Sequence, residues 1–450
     1  MKATDNIDSQ FDLAEQAIAH MRAFGADCAD VLVSQSVSLS ATCRLGQMEE
    51  VERAEAKDMG LRALIGKKQA FVSGSGLQTG DIEKLAERVV AMAQKAPEDP
   101  FCGLADESLL ATQIAELDLN DINEPSTSQL QDYALEAEDT ARAIKDITNS
   151  EGAGANWGRS TTSLVTSHGF AAHYTASSWS LYCIVLAGTG DKMERDYASH
   201  ATRHFEDLDK PATIGTQAAE RTLKRLNPRK PETTKAPVMY APRVSASLLK
   251  HFAAAISGSA VARGTSFLKD AMGQKIMPDT IQIIDDPLRP RGLRSAAFDG
   301  EGLAAEKLIL VKDGILQAWL LESASAKQLG LTSNGRASRG TASPPHPSAT
   351  NLYIQAGEKS PAQLMQEMGT GLYVNELIGM GVNGVTGDYS RGATGYWIEN
   401  GRLAYPVSEL TIASNLSPMF ANLTAANDLT FRYGVNAPSL LIEEMTIAGL

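Results

Sequence analysis

A chain of 450 residues with 54 Asp and Glu against 41 Lys and Arg, a formal net charge of −13, has no cationic surplus to neutralise phosphates, which argues against a nucleic-acid binder. Its 43% hydrophobic content supplies cores for about three domains, and no apolar run reaches the roughly 18 residues that span a bilayer. The start MKATDNIDSQ lacks the basic and apolar regions of a secretory signal, and Cys28, Cys43, Cys102 and Cys183 lack CxxC spacing, so a cytoplasmic protein with reduced, mostly buried thiols is expected.

Leu13, Ala14, Ala17, Ile18 and Met21 recur at helical spacing and predict a first helix stopped at Gly25. Alternation over Val31–Ser40, an extended continuation over Thr42–Val51 and two strands broken at Gly66-Lys67 predict a small sheet. Ile82, Leu85, Ala86, Val89 and Ala93 make a second amphipathic helix ending before Pro97. The polar, proline-punctuated stretch from Pro97 to Pro125 is a candidate boundary. Ser126 with Gln129 then fits a capping box opening a third helix, on which Glu136, Glu138 and Asp139 read as a solvated face. Thr161–Ser167, Ala171–Ser177, Trp179–Ala187 and Met193–His204 suggest an antiparallel meander. A fourth helix near Ile214–Leu226 stops at Asn227-Pro228-Arg229-Lys230-Pro231.

The last unit opens with a strand at Val238–Tyr240 and a helix over Ser245–Ile256. Strands follow at Thr280–Ile284, Lys307–Val311 and Ile315–Leu321, the last two joined by a hairpin at Lys312-Asp313-Gly314, and then a short helix at Ser323–Leu329. Ser333–Thr350, rich in Gly, Ser and Pro, reads as an ordered but irregular surface loop or lid. After a strand at Asn351–Gln355, Ser360, Pro361 and Gln363 fit the N-cap, N1 and N3 of a further helix, which feeds a strand at Leu372–Leu377. The expected fold class is α+β: N-terminal α/β-type units with small antiparallel sheets, 1–115 and 116–228, followed by a β-rich C-terminal domain with a few helices, 236–450.

The functional centre expected from the pattern is Gly379–Ala413, where seven glycines lie between Gly379 and Gly401. Gly387, Asp388, Tyr389, Ser390, Arg391 and Gly392 put donors and acceptors on a backbone that a ligand can approach, with Tyr389 and Arg391 the best candidates for side-chain contacts. Residue spacing leaves two readings open, a glycine-rich hairpin at a sheet corner and a ligand-lined loop. A phosphate loop is disfavoured, because GxxxxGK[ST] is lacking and strand signals follow the glycines.

The run GMGVNGVTGDYSRGATGYWIENG, with LAYPVSELTIASNL and the terminal SLLIEEMTIAG, resembles the C-terminal signature of the TldD/PmbA family, known as modulators of DNA gyrase, and matches its PmbA (TldE) branch. The resemblance extends in order over nearly the whole chain. It implies a subunit of a cytoplasmic TldD/TldE metallopeptidase complex engaged in proteolysis or peptide maturation. A TldD-like zinc peptidase subunit would be the partner in a heterodimer, and peptides or unfolded segments the substrate. Zinc-bearing relatives carry HExxxH on a helix, two histidines holding the ion and the glutamate activating water. Here the equivalent positions read His251, Phe252 and Ile256, and no cysteine follows Cys183, so zinc is expected in the partner and none in this chain alone. Backbone pairing of an extended peptide with strand edges near Gly387–Gly392 is the expected binding mode. Asp299-Gly300-Glu301-Gly302 resembles an acidic glycine turn of the family, though an ordinary turn is the preferred reading.

A second reading is a non-enzymatic homodimeric adaptor whose acidic surface engages a regulatory target such as gyrase. A third is an independent metallohydrolase using His200 and His204, against which stands the plainer reading of solvent-facing histidines on a polar strand. No GxSxG elbow assigns a serine nucleophile.

Overall fold

The computed structural model describes residues 7–76 and 79–449. The fold is α+β, but the N-terminal strands form one sheet rather than several small ones. Six antiparallel strands run in the spatial order Lys68–Ser75, Gln47–Ile65, Cys28–Arg44, Ile147–Thr166, Ala171–Ala187, Glu194–Thr202. Cys28–Arg44 and Ile147–Thr166, distant in sequence, are neighbours in register from Asp30↔Thr166 to Cys43↔Ala153. Local alternation reveals hairpins and says nothing of which edges later meet.

Period two explains how this sheet is covered. Val31, Val33, Leu39, Ala41 and Cys43 share one face; the helices Ile7–Ala23 and Thr79–Lys95 cover one end of it, and Thr127–Arg142 and Pro211–Leu223 the other. Leu32 points the opposite way, joining Leu164 and Phe170 against Ala297 and Phe298 of the C-terminal part. Ala171–Ser177 and Trp179–Ala187 prove to be one strand. The extended run expected over Thr42–Val51 folds back at Leu45 and Gly46, both at positive φ (52° and 76°). That turn corrects the reading of Glu138 as solvated: the carboxylate is buried and accepts the N–H groups of Leu45 and Gly46, each at 2.8 Å. Two turn donors over the sheet need an acceptor, and Glu138 is it.

In the C-terminal part, Thr234–Tyr240, Gly371–Ile378, Asp388–Glu399, Arg402–Asn415 and Leu440–Ala448 close into a barrel, because Arg402–Asn415 pairs with both Asp388–Glu399 and Leu440–Ala448. The helix Pro242–Ala255 buries Leu248, Leu249, Phe252 and Ala255, spaced for one face, in the core shared with this barrel. A second sheet holds Ile283–Asp285, Leu308–Lys312 and Leu352–Ile354; the expected strand Ile315–Leu321 shrinks to Ile315–Leu316. The Ser360 cap is as expected, its side chain accepting from the Gln363 N–H while Gln363 returns to the Ser360 N–H.

Two stretches, one expected as a surface loop and one as an ordinary turn, carry buried charge. In the irregular segment 333–350, Arg336 bonds buried Asp285 at 2.5 Å, and Arg339 reaches Asp30 of the N-terminal sheet at 2.6 Å. Asp30 also holds Arg62 at 2.6 Å. Burial alone would raise the Asp30 pKa, but Arg339 and Arg62 outweigh it and hold the carboxyl below its ordinary value. The Asp299–Gly302 turn is likewise not ordinary. Asp299 is buried and accepts from the N–H groups of Glu301, Leu303 and Ala337 at 2.8, 2.9 and 3.0 Å. Burial and the nearby Glu301 carboxylate push it up to about 7 against those donors.

Replacing Asp30 by alanine leaves two guanidiniums buried without their shared acid, and the expected loss is about 3–5 kcal/mol in urea unfolding. A loss below about 1 kcal/mol would contradict the burial argument. Asp299 binds its proton more tightly folded, at about 7, than unfolded, near ~3.9. Stability therefore falls as pH rises through that window and levels off above it. Asp299→Asn should flatten this part of the stability–pH curve; an unchanged slope would show that another group sets it.

Candidate functional site

The His251 helix and the glycine-rich segment meet in space. Pro242 starts the helix at a position where its missing N–H costs nothing, and the chain leaves it at Ile256. Phe252 and Ile256 are 0% exposed in the core, where Phe252 packs edge-on against Phe420. His251 is half-buried, and its Nε2 has no hydrogen-bond partner among the described residues. Its ring stands edge-on to Tyr389 with centroids 6.2 Å apart. Burial, then Arg391, then Lys250 lower the His251 pKa, which favours the neutral imidazole. One nitrogen beside a guanidinium is a poor place for a metal ion: the donor set is incomplete and the local charge repels a cation. Among the described residues, no three His, Cys, Asp or Glu side chains gather as metal ligands.

The glycine-rich segment satisfies itself. Gly387 sits at φ 82° and is buried; its N–H donates to the Asn383 carbonyl at 2.8 Å, and its carbonyl accepts from Leu416 at 2.7 Å. Asn383 Oδ1 accepts from the Val385 N–H at 2.9 Å, and the Thr386 hydroxyl donates to Asp388 at 2.6 Å. Asn415 donates to the Thr386 carbonyl and to Asp388. The Thr386 and Asn415 hydrogen bonds hold the Asp388 carboxyl below its ordinary pKa. Few of the expected donors therefore remain for a ligand.

Strand alternation from Asp388 onward places each candidate residue. Asp388 and Ser390 face solvent. Tyr389, expected to contact a ligand, is instead 1% exposed, and its phenol lies near Tyr240. Arg391 is half-buried on the same side as Tyr389 and donates through Nε to the Ile378 carbonyl at 3.3 Å. Gly392 pairs with Thr411 on one side and Ile378 on the other. The Ser390 N–H goes to the Gly381 carbonyl at 2.7 Å, and Val382 bridges Tyr389. No open strand edge is left at Gly387–Gly392 for an added peptide, because the loop folds back over it. What sequence reasoning missed is the loop's outer surface, where Met380 is 90% exposed with Ile378 and Val385 also exposed. Three apolar residues within eight positions of a glycine-rich stretch were the available signal.

His200 and His204 do not form a pair. The Asp209 N–H donates to His200 Nδ1 at 3.1 Å, and His204 Nε2 lies 2.9 Å from the Asp118 carbonyl. Nor do they face solvent, since both side chains are largely buried, and His204 lies beyond the strand Glu194–Thr202.

Known proteins resemble this chain in sequence and fold. Family models described as PmbA/TldA metallopeptidase domain 1, central domain and C-terminal domain match residues 29–93, 120–226 and 233–449. Over 454 residues, 100% of this chain and 99% of the relative, the chain is 38% identical to Metalloprotease PmbA of Escherichia coli O157:H7. Over 458 residues, 100% of both, it is 35% identical to the Metalloprotease PmbA homolog of Haemophilus influenzae. The crystal structure of a candidate modulator of DNA gyrase from Bacteroides thetaiotaomicron matches with a TM-score of 0.91 at 25% identity, over 99% of this chain and 100% of that one. TldE from Thermococcus kodakarensis shares the fold, with a TM-score of 0.87 at 20% identity over 97% of this chain and 99% of its own. With its three domains matched in order and its full length aligned, the chain belongs to the PmbA/TldD metallopeptidase family.

Proposed function

We propose that this chain is the PmbA/TldE-like subunit of a cytoplasmic two-chain metallopeptidase, holding no zinc itself and completing a cavity in which a TldD-like partner cuts peptides or unfolded segments. The observation that carries this reading is the His251 helix: a lone imidazole lies within the electrostatic influence of Arg391, while Phe252 and Ile256 fill the core where a zinc-binding helix would present a base and a second ligand. Restoring those ligands would bury a carboxylate and an imidazole among hydrocarbon side chains.

The glycine-rich loop supports the partner. Its backbone groups are bonded within the chain, yet it carries Ile378, Met380 and Val385 outward. Apolar side chains exposed together on an ordered loop are characteristic of a surface that another protein covers. The loop is then a docking element, and Asp388 and Ser390, facing outward beside it, border the shared cavity.

The test is to follow cleavage of an unstructured peptide by the purified chain with and without a zinc-loaded TldD-like partner. Cleavage is expected only with both, and equal activity by the chain alone ends the proposal. Elemental analysis of the chain alone should find far less than one zinc per molecule. Met380→Asp, at an exposed site, should change stability by less than about 0.5 kcal/mol yet weaken co-purification with the partner. Tyr389→Ala should instead cost about 3–5 kcal/mol of folding stability, as other buried aromatic deletions do. If Met380→Asp leaves assembly intact, the loop is not the docking element.

A further inference from the structure

A large cavity lies away from His251, where the central unit meets the barrel. It encloses about 670 Å³ and is lined by Ala241 and Pro242 at the opposite end of the His251 helix. Five of the chain's 11 tyrosines line it: Tyr197, Tyr373, Tyr396, Tyr405 and Tyr433. Although the whole chain carries a net charge of −13, the lining holds Arg221, Lys224, Arg243 and Arg432 and no Asp or Glu. Such a concentration of one sign in an acidic protein marks a place for an anion.

The four cations are not equally free. Arg243 pairs with Asp196 at 2.8 Å and stacks over Tyr197, and Arg432 pairs with Asp209 at 2.5 Å. Arg221 donates only to the Tyr197 carbonyl, at 3.0 Å, and neither it nor Lys224 makes an ion pair among the described residues. Burial and then the like charge of Arg243 lower the Arg221 pKa, outweighing the opposing charge of Asp196. A separate feature points to a ligand. Asn375 on the cavity wall is 8% exposed, and its side-chain oxygen has no hydrogen-bond partner among the described residues. A buried acceptor left open calls for a donor.

We propose that this cavity binds a carboxylate-bearing peptide segment, its carboxylate on Arg221 and Lys224, a main-chain N–H on Asn375, and an aromatic or aliphatic body against the tyrosines. A peptide supplies donor, acid and apolar surface together, whereas a bare phosphate would leave Asn375 and the tyrosine wall unused. The choice of a peptide over other acids rests on the peptidase-complex reading. The site would give the complex a preference for acidic or C-terminal segments.

Fluorescence anisotropy on the isolated full-length chain tests this with labelled Gly-Phe-Asp-Phe-Gly amide, its Asn counterpart as the amide, and that Asn peptide with a free C-terminal carboxylate. One or both charged peptides should bind roughly tenfold tighter than the uncharged one, and which does so identifies the carboxylate recognised. Lys224→Ala, at an exposed position, and added salt should each reduce the preference, and the double variant Arg221→Ala, Lys224→Ala should abolish it. Equal affinity for charged and uncharged peptides, or an unchanged preference in Lys224→Ala, overturns the proposal. So does adenosine monophosphate binding more tightly than either acid peptide, which would make this a nucleotide site. No partner is present in the measurement, so failure of the two-chain assembly would leave this readout standing, and failure here would leave that assembly untouched.

Discussion

One buried carboxylate shared by two arginines joins the N-terminal sheet to the C-terminal part of the molecule. Asp30 lies on the inner strand of the N-terminal sheet, Arg62 on the strand beside it, and Arg339 on the irregular segment of the C-terminal part. A charge removed from water is stable only where its partners are fixed, so this contact ties the two parts in one orientation. The apolar contact of Leu32, Leu164 and Phe170 with Phe298 joins the same two parts. At the large cavity the same two parts are joined by different pairs, Arg243 with Asp196 and Arg432 with Asp209.

The glycine-rich segment does not play the part that its composition suggested. Glycine was expected to leave its backbone open to a ligand. Here it lets the chain fold onto itself instead: a Cβ at Gly381 would lie 2.1 Å from the Ser390 carbonyl oxygen, and one at Gly387 would meet Asn415. The freedom of glycine is used to close the loop, and closure pushes apolar side chains outward.

Periodic elements were legible in the sequence, and the reasons others were not are local. The helices could be read because their apolar residues repeat on one face, and Ser360-Pro361 with Gln363 signals its helix start through three separate preferences. The first half of Ile147–Thr166 was hidden because Gly152, Gly154 and Gly158 remove side chains from the alternation; at Gly154 the Tyr182 ring occupies the space where a Cβ would sit. Glu138 looked solvated because an acid in a polar stretch usually is, and Asp299 looked like part of an ordinary turn; the backbone donors awaiting both become visible only after folding. At the candidate site, the family resemblance marked His251 as what remains of a zinc motif, whereas the residue pattern offered Tyr389 and Arg391 as ligand contacts and not as its neighbours. Which of them would turn inward depends on strand register, which composition does not set.

The strand register joining Cys28–Arg44 to Ile147–Thr166 has a consequence for synthesis on the ribosome. The first hairpin can form as soon as it emerges, but one flank stays raw until Thr166 has left the exit tunnel. During that interval a long row of amide and carbonyl groups is open to any passing nascent chain. The newborn protein therefore passes through a vulnerable stage that the finished one conceals.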